Sequence, residues 1–495
     1  MASATTAIHG MAPAPTPGEI ARVWVLHLTA LYIPGLTLAF LWTGPHRWYW
    51  AAFFMVPLAI AHHIDCSSRL EQRQPRESMP AWPFDGLVYL LAALQIWIVA
   101  ETVLLFTVQG IFSVDMVMVF LVVGGSSGFS IITAHELIHR PGKADQLLGR
   151  LLLCTVLYEH FYTEHLRGHH VRVGTPADPA TARFGESYEA FFRRTAPAQF
   201  RSAWQLEKRR LGDADMRLWD RRMLRNRILH GLAVEWGLVV AVFAAFGLAP
   251  TAAFLLQAYV AVRLLEAVNY FEHWGLLHAG RRVRLADSWD THSAFTYYGL
   301  IGLSRHADHH AWPARPYQQL RVWDEAPILP YGYVGMVDLV IGKNAEFQRL
   351  ATEELRRRRL GPFTAVDGES AGEALSSEDA LAQLDSLHGE TGSRQGRFSR
   401  SWSALPAWAR RLLLFIGVIG TVSLGVQWET GASEMGMGAR LLLNGWILAA
   451  VAAALFVRGR LEEKLGNESL TWLLGFGLLL ALGLLTDAIA GPLPL

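Results

Sequence analysis

Cysteine is almost missing from this chain: Cys66 and Cys154 are the only two in 495 residues. Two thiols build no disulfide framework, no cysteine-held iron–sulfur site and no cysteine-based zinc ribbon. Each reads as a small apolar filler. Charge is scarce as well. Asp, Glu, Lys and Arg make up 18% of the residues, below the ~25% of average soluble domains. A net charge of +1 leaves no basic surplus for nucleic acid. No Lys or Arg precedes Arg22, so residues 1–20 lack the basic start of a secretory signal and read as a flexible tail.

Apolar residues are what the chain has in excess: 52% are hydrophobic and 18 are Trp. Runs near the ~20 residues that cross a bilayer fall at about 21–42, 48–65, 86–108, 111–134, 229–248 and 251–272. They predict an all-α integral-membrane fold with a six-transmembrane-helix core over 21–350. Residues 351–408 turn charged and then acidic and Ser/Gly-rich, the composition of a linker. Apolar runs at about 411–427, 440–457 and 471–490 make 409–495 a C-terminal module of about three further transmembrane helices.

Basic residues crowd the 66–85 and 139–228 connections, while the connections on the other side are short and nearly bare. The positive-inside bias then puts the N-terminus, both basic connections and everything after 273 on the cytoplasmic side. Trp42, Trp48 and Trp50 fall where an interfacial aromatic belt would lie.

Of 19 histidines, nine fall in four short stretches. These are His135 and His139 in "HELIH", His165, His169 and His170 in "FYTEHLRGHH", His273 in "NYFEH", and His306, His309 and His310 in "RHADHH". The charge-based topology puts all four at one membrane face. HExxH sets two imidazoles one helical turn apart, suited to one metal, and taken alone it fits a zinc peptidase with Glu136 as base equally well. If 161–170 is helical, His165 and His169 share a face and His170 sits one step round. A zinc peptidase needs three protein ligands and an open position, so nine imidazoles are a surplus that two metal ions with four or five ligands each would absorb. Glu136, Glu164, Glu272 and Asp308 lie beside these histidines and are expected to accept the outer N–H of bound imidazoles, with His160 in a similar outer position. Asn269, one turn before His273, is expected to hold a metal-bound water. Imidazole alone does not name the metal. A site at the end of a membrane bundle can take an apolar substrate from the bilayer, and attack on a C–H bond needs a redox metal and O₂. That favours iron or copper over zinc.

The stretches "HELIHR", "HFYTEHLRGHHVRVGTPADPATARFGES", "NYFEHWGL", "LSRHADHHAWPARPYQQLR" and "APILPYGYVGM" run in this order within about 20–350. Together they resemble the membrane-bound alkane monooxygenase family, part of the integral-membrane di-iron hydroxylase and desaturase group. The resemblance implies two iron ions on all-histidine ligands, with His135, His139, His165, His169, His170, His273, His306, His309 and His310 matching the ligand positions one by one. No catalytic residue is implied beyond these. It implies insertion of one oxygen atom of O₂ at a terminal or benzylic carbon, lipid-type metabolism, and a multi-pass protein of the bacterial inner (cytoplasmic) membrane with its metal site on the cytoplasmic side. Electrons would come from a rubredoxin or ferredoxin-type donor with its reductase. With no CxxC pair in the chain, that donor is a separate protein. A fatty-acyl desaturase or hydroxylase on the same scaffold is the near alternative, and a membrane zinc peptidase the distant one. Arg140 stands where Lys is common, and Ser304 and Ala307 where Gln and Ser are usual. Residues 350–495 have no counterpart in the usual pattern.

Overall fold

Thr16 opens the first long helix. Its hydroxyl accepts the Glu19 backbone N–H, while the Glu19 carboxylate reaches back to the Thr16 N–H. This reciprocal cap satisfies two donors that a helix start leaves orphaned, and Pro17 is already set to a helical φ. The computed structural model describes residues 14–364 apart from 48–52, 68–69, 77 and 278–282, together with Gly477 and Ala481. The C-terminal spans apart from those two residues, most of the linker, Trp48 and Trp50 lie outside the described residues.

The helices in chain order are α1 (Pro17–Thr43), α2 (Met55–Ser67), α3 (Trp82–Leu105), α4 (Val114–His139), α5 (Lys143–Thr155), α6 (161–172) and α7 (Tyr188–Arg210). After them come α8 (Arg227–Phe246), α9 (Leu248–His273), α10 (Ala294–Gly299), α11 (His306–Ala311), α12 (Tyr333–Gly342) and α13 (Asn344–Arg358). Among the described residues, β pairing is confined to isolated bridges at Leu70–Ser293 and Asp290–Ile328. The regular structure of the described residues is all helical, as the apolar runs predict. The start of the expected linker is still helix, since α13 runs on to Arg358.

Five described helices, α1, α3, α4, α8 and α9, are long and apolar enough to cross a membrane. The expected second span is represented by α2, whose 13 described residues fall short of a bilayer. Trp236, Val240 and Phe243 on α8 are each more than half exposed. Such a surface would be costly in water and is neutral in lipid, so the protein is an integral membrane protein. Trp42 is also exposed and packs its ring 5.2 Å from that of Trp97.

α8 turns directly into α9 at Gly247, whose φ of 84° is open to glycine at little cost. α9 then packs along α4. A Cβ on Gly124 would lie 2.5 Å from Val260 Cβ, and one on Gly128 2.9 Å from Leu264 Cδ1. Small residues let the two backbones approach closely. Both helices therefore finish at the same end of the bundle, α4 on His139 and α9 on His273. The larger apolar core lies there too, around Tyr270, Phe271, Trp274, Trp289 and Tyr333.

Gly124→Ala puts a methyl group against Val260, and overpacking of this kind costs about 1–3 kcal/mol. The expected result is a lower thermal-unfolding midpoint in detergent. An unchanged midpoint would show that the α4–α9 contact is loose.

Candidate metal centre

The ends of α4 and α9, the short α6 and the short α11 meet, and they bring the nine histidines into two groups. His135, His139, His165, His170 and His309 form one; His169, His273, His306 and His310 form the other. Within each group one ring nitrogen per residue lies within 4.8 Å of all the others. The Nε2 atoms of His139 and His165, and of His165 and His170, are 3.0 Å apart, and those of His170 and His309 are 3.1 Å apart. In the second group His306 Nε2 lies 3.2 Å from that of His273 and 3.0 Å from that of His310. The groups abut, with the His170 and His310 rings stacked at 4.4 Å.

The division differs from a simple helical reading. His165 and His169 are four apart and would share an α-helical face, yet His165 is grouped with His170. The cause is a π turn over His165–His169, which closes its hydrogen bonds five residues apart instead of four. It aligns His165 with His170 and turns His169 toward His273. In α11, His306 and His310 share a face in ordinary i, i+4 register while His309 faces the other group.

Neutral imidazoles converging in this way suit a metal. Burial first, and neighbouring imidazoles second, push His165, His170, His306, His309 and His310 well below the ordinary histidine pKa, so a lone pair is available on each. Nitrogens ~2.1 Å from a common ion and at right angles about it are ~3.0 Å apart, close to the observed spacings. The Nε2 atoms of His135 and His169 are buried with no hydrogen-bond partner, as expected of nitrogens reserved for an ion. Outer nitrogens set two of the tautomers. His273 Nδ1 lies 3.1 Å from the Asp287 carbonyl, which can only accept, so the proton sits on Nδ1 and Nε2 faces the group. His169 Nδ1 donates to Asp178 Oδ2 at 2.9 Å. Burial alone would raise the Asp178 pKa, but His169 and the Thr181 hydroxyl hold it below the usual carboxylate range.

The six residues expected around the imidazoles divide. Glu136 turns to Arg140, one turn along its own helix, at 3.3 Å. Glu164 pairs with Arg172 at 2.7 Å. Asp308 takes the Trp323 indole N–H at 2.7 Å, the Arg321 backbone N–H at 3.1 Å and the Arg315 guanidinium. These three carboxylates meet stronger donors than an imidazole N–H and tie down surrounding segments. His160 packs against Tyr158 and Phe200, apart from both groups. Glu272 does reach the centre, but from the inner side: its Oε2 is 3.3 Å from His306 Nε2, and the Tyr333 hydroxyl donates to its Oε1 at 2.6 Å. Asn269 donates to Glu266 Oε2 at 3.2 Å and lines a cavity that ends at the imidazoles.

Sequence reasoning passed over Asp178, the Asp287 carbonyl, Asp290 and Tyr333. Asp290 accepts the Ala307 N–H at 2.8 Å and so holds the start of α11; its burial pushes its pKa up to about 7. Asp178 stands in the quoted "GTPADPATA" stretch, where an acid among small residues close after His169 and His170 was the available signal.

The cavity is about 230 Å³ and almost wholly apolar. His135, His165 and His306 close one end, with Glu272, Asn269 and Tyr333 the other polar side chains on its wall. α2 contributes Leu58 and Ala61 to the wall.

Residues 113–339, which hold all nine histidines, match the fatty acid desaturase family model. Over 217 residues this chain is 42% identical to alkane 1-monooxygenase 1 of Pseudomonas aeruginosa, covering 43% of this chain and 56% of that one. It is 36% identical over 230 residues to alkane 1-monooxygenase of Acinetobacter baylyi, covering 45% and 56%. With alkane 1-monooxygenase 2 of Alcanivorax borkumensis it shares 39% over 230 residues, covering 44% and 58%. The chain thus spans a little over half the length of these curated relatives.

Asp178→Ala removes the one carboxylate that, among the described residues, is bonded to an outer nitrogen of the nine imidazoles. Loss of such a partner costs about 10–100-fold in metal affinity, to be read by competition with a chromophoric chelator. Unchanged affinity would mean that His169 is oriented without Asp178.

Proposed function

We propose that this protein is a membrane-bound non-haem di-iron monooxygenase that hydroxylates hydrocarbon chains. One observation carries this reading: an apolar cavity inside a membrane bundle ends directly on two groups of converging, buried imidazoles. The relatives named alkane 1-monooxygenase support it. In this reading His135, His139, His165, His170 and His309 hold one iron, and His169, His273, His306 and His310 the other. Iron bound there would supply O₂ activation, so that one oxygen atom enters a C–H bond and the other leaves as water, with two electrons and two protons consumed.

The chain's own residues supply the rest. The cavity wall excludes water and draws an apolar chain out of the bilayer. Asp178 and the Asp287 carbonyl keep His169 and His273 in the tautomer that presents Nε2 inward. Tyr333 fixes the Glu272 carboxyl beside His306, where it can hold a proton at the reacting end of the cavity. Electrons are assigned to a separate rubredoxin or ferredoxin-type donor with its reductase. The cytoplasmic membrane, with N-terminus and metal centre on the cytoplasmic side, is assigned from the charge asymmetry of the connections.

A fatty-acyl desaturase or hydroxylase is the second reading, favoured by the family model that residues 113–339 match. A zinc peptidase is disfavoured, since Glu136, its required base, is turned to Arg140 and is absent from the cavity wall.

Iron-loaded protein in lipid nanodiscs, given a reduced rubredoxin-type donor, octane and ¹⁸O₂, is expected to form 1-octanol carrying one ¹⁸O. An alkene product, or turnover only with acyl substrates, would shift the assignment to the second reading. No oxygen uptake with either substrate class would overturn both.

A further inference from the structure

Most of the α4 wall of the cavity is one stripe along the helix. Leu121, Gly125, Gly128, Ile132 and His135 are spaced four, three, four and three residues apart, so they share a face. Leu121 is 39% exposed at one end, and His135 is at the imidazoles at the other. The part of the wall on α9, which packs beside α4, follows the same gradient. Leu264, Leu265 and Val268 are apolar, and the polar Asn269 and Glu272 come only at the inner end. The cavity wall therefore has a direction, from the exposed Leu121 to the imidazoles.

The glycines of this part of α4 have different roles. A Cβ on Gly124 or Gly128 would run into Val260 or Leu264, so those two serve helix packing. A Cβ on Gly125 meets nothing within 4 Å. Helix packing does not require a glycine at this position, and a helix interior pays for having one. What its missing side chain leaves open is the cavity itself. Gly125 lies ten residues before His135, ~15 Å along the helix axis at 1.5 Å per residue.

We infer that Gly125 is a specificity-determining residue: its missing side chain leaves room for the tail of a long hydrocarbon whose reacting end lies at the imidazoles. A short chain ends before this level, and a long one must pass it. The inference rests on the proposed hydroxylation of hydrocarbon chains and adds to it the residue that sets which lengths fit.

The test compares wild type with Gly125→Ala, Gly125→Val and Gly125→Leu in lipid nanodiscs, using octane and hexadecane. Two quantities are read: the ratio of hexadecane to octane product, and the ratio of their binding to metal-free protein, with empty discs as the blank. Both ratios are expected to fall stepwise with side-chain size, reaching at least about tenfold at Leu, since an apolar pocket discriminates by 10–200-fold per methylene misfit. The thermal-unfolding midpoint of Gly125→Ala is expected not to fall, and if the Leu variant fails to fold, the Ala and Val steps carry the test. Equal loss for both chains, or ratios that stay at the wild-type value, would overturn the assignment. A wild type that binds both alkanes in the metal-free state but oxidises neither would overturn the proposed function alone, and the binding ratio would still decide the role of Gly125.

Discussion

Nine imidazoles turned toward one another in a buried space are the constraint on which the rest of this structure depends. A buried polar nitrogen without a partner costs on the order of 1–3 kcal/mol, and here many ring nitrogens face only other ring nitrogens. The arrangement is affordable where cations complete it, and the surroundings are built to match. Acidic groups stand close by, with Asp178 on His169 and Glu272 beside His306. The segments that carry the imidazoles are pinned from outside, α11 by Asp290 and the following loop by Asp308.

The membrane helices act as the frame for that cluster. Close α4–α9 packing at Gly124 and Gly128 brings His139 and His273 to the same end. The same pairing leaves an apolar channel on the adjoining face of α4, so one helix both presents ligands and lines the route to them. That coupling links fold and chemistry: under the proposed function, a substrate dissolved in lipid would reach the imidazoles without crossing water.

Much of this was legible in the sequence, and the parts that were not have physical reasons. HExxH and "RHADHH" encode helical spacing directly, so their convergence could be anticipated. The apolar runs located α1, α3, α4, α8 and α9 to within a few residues, because hydropathy reports burial in lipid regardless of tertiary detail. The pairing of His165 with His170 could not be read from an α-helical period, since it depends on a π turn. Of the four carboxylates beside the histidines in sequence, Glu136, Glu164 and Asp308 went to arginines and an indole and Glu272 to His306 and Tyr333, while Asp178, which reaches an outer imidazole nitrogen, comes from a loop. Adjacency along the chain is a poor guide to contact where loops fold back over a helix end. The described part of the expected second span is shorter than the apolar run that suggested it, and the C-terminal spans fall outside the described residues.

The central claim is that the two imidazole groups are two iron sites. Iron K-edge absorption on the purified protein, with metal counted against protein, tests it most directly. The prediction is two irons per chain, each surrounded by nitrogen at imidazole distance with the multiple-scattering pattern of histidine rings. A single metal per chain, or zinc at full occupancy in place of iron, would contradict it.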